Sequence, residues 1–306
     1  MTVLDETARG VFVIAATPFR PNGALDLDDV PRLVDFYRAR GATGLTILGI
    51  MGEAPKLTAA ESLSFARAVV AAAAGLPVVV GVSSPGFAAM GELAKAVMDA
   101  GAAGVMVAPQ AGLKGDEAVF SYIAQADEAL AGIPWVLQDY PQASGTVIPV
   151  SVIARAIRDF PRLVMLKHED WPGLAKLAAV RALPGRRVSV LAGNGGLFLP
   201  EEMRRGADGA MTGFAYPEMM AGVVASHEAG DAQRAADIFD AYLPLARYEQ
   251  QPGIGLAVRK HVLAKRGALS SAAMRKPATA LSAADIAEVE FLIGRQERRL
   301  AALDVT

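Results

Sequence analysis

A closed barrel of eight parallel strands, each followed by a helix, is the fold class this chain predicts. Eight short runs rich in apolar and β-branched residues recur over the first 214 or so positions. The segments between them read as helices rather than hairpin turns. Several of the runs are apolar throughout, as expected where helices cover the outer face of a parallel sheet. In order, strands are predicted at Val11–Ala16, Gly44–Leu48, Val78–Val82, Gly104–Ala108, Trp135–Gln138, Leu163–Lys167, Val188–Ala192 and Gly209–Thr212. Helices begin at residues with start signals: Leu27–Ala39 behind Asp26, Ala59–Ala74 behind Thr58, and Val150–Arg158 behind Pro149. Eight such units in about 210 residues, joined by right-handed crossovers, favour a closed (β/α)8 barrel, with an open doubly wound sheet as the alternative.

The remaining residues carry helical patterns at Pro217–Ala229, Ala232–Tyr248, Gly255–Arg266 and Ala283–Leu303, with Gly267–Ala280 as the longest irregular link. Residues 1–214 therefore read as the barrel core. Residues 215–306 read as the last barrel helix and a C-terminal helical extension packed on it, in one structural unit.

Composition narrows the function classes. The 306 residues include 30 Lys and Arg against 32 Asp and Glu, a net charge of −2, so no basic stripe for nucleic acid is expected. A chain that is 53% hydrophobic and 20% charged is not a disordered one. With no cysteine there is no disulfide framework, no thiolate metal site and no cysteine nucleophile, which fits a reducing compartment. The opening residues Met1 to Glu6 carry acids instead of a basic segment before an apolar one, so no secretory signal is read and a cytoplasmic location is expected. Ala68–Gly91 is uncharged and long enough to span a bilayer, but Gly75, Pro77, Ser83, Ser84 and Pro85 break it into a helix end and a buried strand. No membrane partner is expected. The turn after the first strand, Ala15-Ala16-Thr17-Pro18-Phe19, lacks the glycines of a dinucleotide cradle.

Barrels of this kind build their sites at the C-terminal ends of the strands. The sixth strand runs Leu163-Val164-Met165-Leu166-Lys167-His168-Glu169-Asp170. Side chains alternate along a strand, so Lys167 and Glu169 share one face and His168 takes the other. An uncharged amine at the barrel mouth attacks a carbonyl to form an imine, and a carboxylate two residues on moves a proton on the adjacent carbon. A structural ion pair at a strand end explains the same two residues. His168 reads as a packed or rim histidine. The second strand runs into Leu48-Gly49-Ile50-Met51-Gly52-Glu53, whose backbone N–H groups form a candidate carboxylate nest, though an ordinary βα turn with Glu53 solvated or capping gives the same pattern. The fifth strand ends in the polar run Gln138-Asp139-Tyr140-Pro141-Gln142-Ala143-Ser144-Gly145. The seventh and eighth strands supply Gly193-Asn194-Gly195-Gly196 and Met211-Thr212-Gly213-Phe214, where glycines allow close backbone approach.

Taken together and in order, Gly49-x-x-Gly52-Glu53, Pro141-x-x-Ser144-Gly145 and Lys167 resemble the dihydrodipicolinate synthase and N-acetylneuraminate lyase family over nearly the whole chain. The resemblance implies a barrel (TIM barrel) subunit, usually in a homotetramer built as a dimer of dimers. It implies a 2-keto acid bound as an imine on Lys167 without metal or organic cofactor. Departures from the pattern are informative. Where that family ends its fifth strand with a proton-relaying tyrosine, this chain has Gln138, with Asp139 next and Tyr140 one place before Pro141. Ile50 and Met51 replace the hydroxyl residues of the glycine turn, and Gln110-Ala111 stand where a tyrosine pair is expected. Ala143 stands where the synthases place an arginine for a second carboxylate.

Gln138-Asp139-x-Pro141, Lys167-x-Glu169, Gly209-Ala210-Met211-Thr212-Gly213 and the stretch from Leu243-Pro244-Leu245 to Gln251-x-Gly253-Ile254 are similar to a 2-keto-3-deoxy-L-arabonate dehydratase-like subgroup, in which the glutamate after the lysine serves as base. The expected activity is dehydration of a 2-keto-3-deoxy sugar acid, with Lys167 and Glu169 catalytic. Gly49, Ile50, Met51, Gly52, Gln138, Asp139, Gly193 and Thr212 are the expected substrate-binding positions. The alternatives are a pyruvate-dependent aldolase or synthase-like condensation on the same imine, and a non-catalytic sugar-acid-binding paralogue.

Overall fold

The structure, a computed structural model, describes residues 3–303. Met1 and Thr2 of the acidic opening segment, and positions 304–306, lie outside the described residues. Eight strands close into a parallel barrel: β1 (Gly10–Ile14), β2 (Gly44–Ile47), β3 (Val78–Gly81), β4 (Gly104–Val107), β5 (Trp135–Asp139), β6 (Leu163–His168), β7 (Ser189–Ala192) and β8 (Gly209–Ala210). Helices α1 (Val30–Arg38), α2 (Ala59–Ala72), α3 (Phe87–Asp99) and α4 (Asp116–Leu130) follow the first four strands. A short α5 (Pro141–Ser144) and α6 (Val150–Asp159) follow β5, α7 (Leu174–Arg181) follows β6, α8 (Leu199–Arg204) follows β7, and α9 (Pro217–Glu228) follows β8. Three more helices, α10 (Ala232–Glu249), α11 (Gly255–Lys265) and α12 (Ala283–Ala302), form the C-terminal extension. Among the described residues no helix is long and apolar enough to cross a membrane.

Inward-facing Phe12, Ile14, Val79, Met106, Val136, Met165, Leu191 and Met211 fill the barrel, and the outward faces of the same strands pack against the helices. One irregularity sets the geometry of the site. Between β5 and β6 the register slips, so that Trp135 pairs with Leu163 but Val136 pairs with Met165. The extra residue, Val164, brings Gln138 opposite Lys167 and Asp139 opposite His168. Gln138 and Lys167 consequently share the inner face, and Asp139 and His168 the outer one.

Element boundaries depart from the sequence expectation where side chains have other work. The first helix starts at Val30, not Leu27. Asp29 spends its carboxylate on the Ser270 N–H at 2.7 Å in the extension, so the chain stays in a turn through Leu27–Asp29. β8 has two regular residues, yet barrel pairing runs on through single bonds from Met211 N to Ala192 O (2.8 Å) and from Ile14 N to Thr212 O (2.9 Å). By contrast, α2 begins where its sequence says. The Thr58 hydroxyl accepts from Glu61 N, and the Glu61 carboxylate accepts from Thr58 N, a reciprocal cap worth about 1 kcal/mol.

The extension clasps the turn after β2. Glu53, 2% exposed, receives Lys260 Nζ at 2.7 Å from α11, Lys56 Nζ at 2.9 Å and the Arg275 N–H at 3.2 Å. It is neither solvated nor a cap. A second buried pair, Glu249 with Arg259 at 2.5 Å, ties α10 to α11, and Glu249 also accepts from Ala215 N after β8. Removing one member of such a buried pair leaves an uncompensated charge, so these contacts hold the extension in one position.

Candidate active site

At the C-terminal mouth of the barrel, Lys167 Nζ lies 2.8 Å from Glu169 Oε2, and both side chains are buried. Strand alternation puts them on one face, and the inward direction is set by Met165 one step below in the barrel interior. Glu169 is gripped from three sides. Gln138 Nε2 donates to Oε2 at 2.6 Å, Lys167 meets the same oxygen, and the Asn194 N–H donates to Oε1 at 3.3 Å. Its own N–H donates to the Asp139 carbonyl at 2.9 Å, and its carbonyl accepts from Asn194 Nδ2.

Gly193 makes room for this carboxylate. A Cβ there would sit 2.0 Å from Glu169 Cγ, so any larger residue displaces the acid. Thr212 Oγ1 accepts from Gly195 N at 2.8 Å and so fixes the Gly193–Gly196 turn. Its part in the site is to hold that turn.

A cavity of roughly 500 Å³ lies beside the pair and reaches it through Gln138, which lines the cavity and donates to Glu169. Gln138 and Tyr140 form its inner end, and Gly49 and Ile50 border it on the β2 side. In the short 3-10 turn Ile50–Gly52, the Gly52 and Ala54 N–H groups bond to Gly49 O and the Glu53 N–H to Ile50 O. Among the described residues the Ile50 and Met51 N–H groups have no acceptor. The turn is entered through Leu48 at φ 55° and left through Glu53 at φ 57°, a left-handed pair that a non-glycine chain adopts at a cost and that bends the amides toward the mouth. Thr17 Oγ1 donates to Gly52 O and anchors the turn to the loop after β1. Met51 packs on the barrel's inner cluster, and Ile50 is half exposed at the rim.

Asp139 is not where the sequence expectation puts it. It is fully buried on the outer face of β5, with Lys176 Nζ of α7 at 2.6 Å and His168 Nδ1 at 3.6 Å, and it cannot contact a substrate in the mouth. The reason is the alternation that turns Gln138 inward. His168 faces the same way and bonds through Nε2 to Gly173 O at 3.0 Å. Burial alone lowers its pKa, but the Asp139 carboxylate and the Gly173 carbonyl outweigh that and raise it. Glu202 of α8 lies nearby with its pKa pushed up to about 7, chiefly by burial, against the opposing charge of His168.

Tyr140, discounted in the sequence because of its register before Pro141, lines the cavity beside Gln138. Burial first, and the charge of Glu169 second, raise its pKa, so the phenol is a proton-bearing donor at neutral pH. Its direction follows from its place as the residue before α5, which takes it off the strand's alternation. Among the described residues no cluster of three His, Asp or Glu is arranged to hold a metal ion.

Lys260 is the other fully buried lysine close to the mouth. Burial lowers its pKa, but Glu53 and the Ala273 carbonyl fix its nitrogen.

Comparison with known proteins places these features in context. Residues 7–296 match the Dihydrodipicolinate synthetase family. The chain is 31% identical over 276 residues to the L-2-keto-3-deoxyarabonate dehydratase of Azospirillum brasilense, with 88% of each chain covered. It is 29% identical over 280 residues to the 4-hydroxy-tetrahydrodipicolinate synthase of Chlorobium chlorochromatii, covering 90% of this chain and 92% of the other. The crystal structure of the dihydrodipicolinate synthase from Rhodopseudomonas palustris superposes with a TM-score of 0.95 at 50% identity, covering 96% of this chain and all of that one.

Proposed function

Because the chain belongs to the dihydrodipicolinate synthetase family, and is a lyase of the class I aldolase type, we propose that it dehydrates a 2-keto-3-deoxy sugar acid through an imine on Lys167. The observation that carries this reading is the buried Lys167–Glu169 contact of 2.8 Å, with Gln138 in the place where a proton-relaying tyrosine would otherwise serve. Glu169 accepts the ammonium proton, which frees the amine to attack the C2 carbonyl, and returns a proton to the carbinolamine oxygen, which leaves as water to give the iminium and restore the carboxylate. The resulting iminium draws electrons from C3, Glu169 removes a C3 proton, and the enamine expels the C4 hydroxyl, which takes the proton held by Glu169 and leaves as water. Tyr140 is suited to hydrogen-bond that leaving oxygen, since its phenol keeps its proton. The Ile50 and Met51 amides supply donors for the substrate carboxylate. Hydrolysis of the imine frees the product and the lysine.

The A. brasilense relative's name supports dehydration, and 2-keto-3-deoxy-L-arabonate is the reference substrate, its expected product 2-oxoglutarate semialdehyde. A synthase reading is disfavoured by the cavity itself. No cationic side chain lines it to take a second carboxylate, and Ala143 stands at its rim. With the lyase reading goes a cytoplasmic homotetramer. The exposed, edge-to-face Trp171–Phe198 pair is apolar surface that assembly would cover. The test is product analysis on the reference substrate. A semialdehyde detected with a coupled dehydrogenase supports dehydration, whereas pyruvate detected with lactate dehydrogenase moves the reading to aldol cleavage.

A further inference from the structure

The cavity beside Gln138, next to the Lys167–Glu169 pair, says what lies beyond C4 of the substrate. Its boundary contains no charged side chain, so a second carboxylate or an ammonium would be taken out of water without a counter-charge. Most of its few polar groups are already committed within the protein. Ser83 Oγ accepts from Ala108 N at 2.8 Å, Ser84 Oγ from Gly86 N at 3.4 Å, and the Gln110 amide donates to Pro85 O at 2.9 Å. Ser144 Oγ bonds to Tyr140 O, and Gln138 is held by Glu169. Among the described residues the Tyr140 and Ser62 hydroxyls carry no bond within the protein, and the Ser83 and Ser84 hydroxyls, which only accept, keep a proton to donate. The rest of the wall is aliphatic: Leu48, Ile50, Pro55, Leu93, Met106 and Pro109. A volume of roughly 500 Å³ also exceeds what a five-carbon acid fills.

We infer that the preferred substrate is a 4-hydroxy-2-keto acid with a single carboxylate and an apolar alkyl or aryl group on C4. This rests on the imine step proposed above and departs from its substrate, setting an apolar tail ahead of the sugar acid's. The carboxylate lies at the Ile50–Met51 amides, the C4 oxygen near Tyr140, and the apolar group against the aliphatic wall. Dehydration of such a substrate breaks the C3–H and C4–O bonds, forms a C3–C4 double bond, and releases one water. Aldol cleavage instead breaks C3–C4, passing the C4 hydroxyl proton to Glu169 and leaving an aldehyde and the pyruvate enamine, which is then protonated.

The experiment measures kcat/KM for three 4-hydroxy-2-keto acids: one with a pentyl or phenyl group on C4, a six-carbon 2-keto-3-deoxy sugar acid, and 4-hydroxy-2-oxoglutarate. The apolar compound is expected to lead the sugar acid by about 10- to 200-fold, the range that apolar pocket contacts supply, with the diacid slowest. Placing a cation at the exposed rim position by Ala143→Arg is expected to narrow the gap between diacid and apolar compound by at least about tenfold. Equal or faster turnover of the sugar acid or diacid overturns the inference. Borohydride trapping with pyruvate, run alongside, separates the two levels. A trapped Lys167 with the wrong preference sinks only the tail assignment, whereas no adduct sinks the imine reading and this inference with it.

Discussion

Gln138 and Lys167 point into the barrel, and their immediate successors Asp139 and His168 point away from it, so one register of two strands carries two different pairs. The inner pair meets at Glu169, and Gln138 borders a cavity. The outer pair is closed over by helices: Asp139 holds Lys176 of α7 at 2.6 Å, and His168 holds the Gly173 carbonyl. Both faces are buried and both carry charge, so burial and residue type do not tell chemistry from scaffolding. What differs is access. The inner cluster has open volume beside it, and the outer cluster has helix.

The contrast breaks most decisively at the lysine. Lys167→Ala is expected to lower kcat on a competent substrate by more than about 10⁴, because the covalent route disappears with the amine. Steady-state turnover checks it, and loss of only a few-fold would put Lys167 in the same class as Asp139. Glu169→Gln keeps the shape and removes the base, with an expected loss of about 10² to 10⁴ in kcat. Gly193→Ala leaves every functional group in place but sets a Cβ where Glu169 Cγ now lies. A loss of about 10² in kcat is expected from the displaced carboxylate.

On the outer face the readout changes from rate to stability. Asp139→Asn removes one of the two carboxylates on Lys176, which keeps Asp170 at 2.9 Å, and is expected to destabilise the fold by about 3 kcal/mol in urea melts, with kcat of the folded fraction nearly unchanged. Glu202→Gln gives the smallest effect and one with a sign in pH. The folded pKa of about 7 lies above the ordinary 4.5, so the folded state holds this proton more tightly than the unfolded chain. That contribution is whole below about pH 4.5 and lost as pH rises through 7. Removing the acid should therefore leave stability near pH 4 unaltered and raise it near pH 8, on the order of 2–3 kcal/mol. Melting curves at the two pH values that shift in parallel would count against this.

Much of the scaffold was legible before any coordinates. Eight apolar runs at barrel spacing, and a two-residue step from Lys167 to Glu169, required only strand alternation to yield a barrel with an amine and an acid on one face. Alternation also placed His168 outside. The same rule, carried one strand further, would have turned Asp139 outward once Gln138 was inward; motif similarity, not physics, made it a substrate contact. Tyr140 was missed because it lies past the strand end, where alternation stops and the turn into α5 decides the direction. Glu53 was hidden for a different reason. Its partners Lys260 and Arg275 are more than 200 positions away, and no local pattern announces such a contact.

The central claim is that one buried amine in the mouth, and not the other, meets the ketone. Incubation with pyruvate and sodium borohydride, followed by peptide mapping, reads this directly. The expected result is a single reduced pyruvate adduct on the peptide carrying Lys167, absent from Lys167→Ala and formed more slowly by Glu169→Gln. An adduct on Lys260, or an unmodified protein after exhaustive treatment, would contradict it.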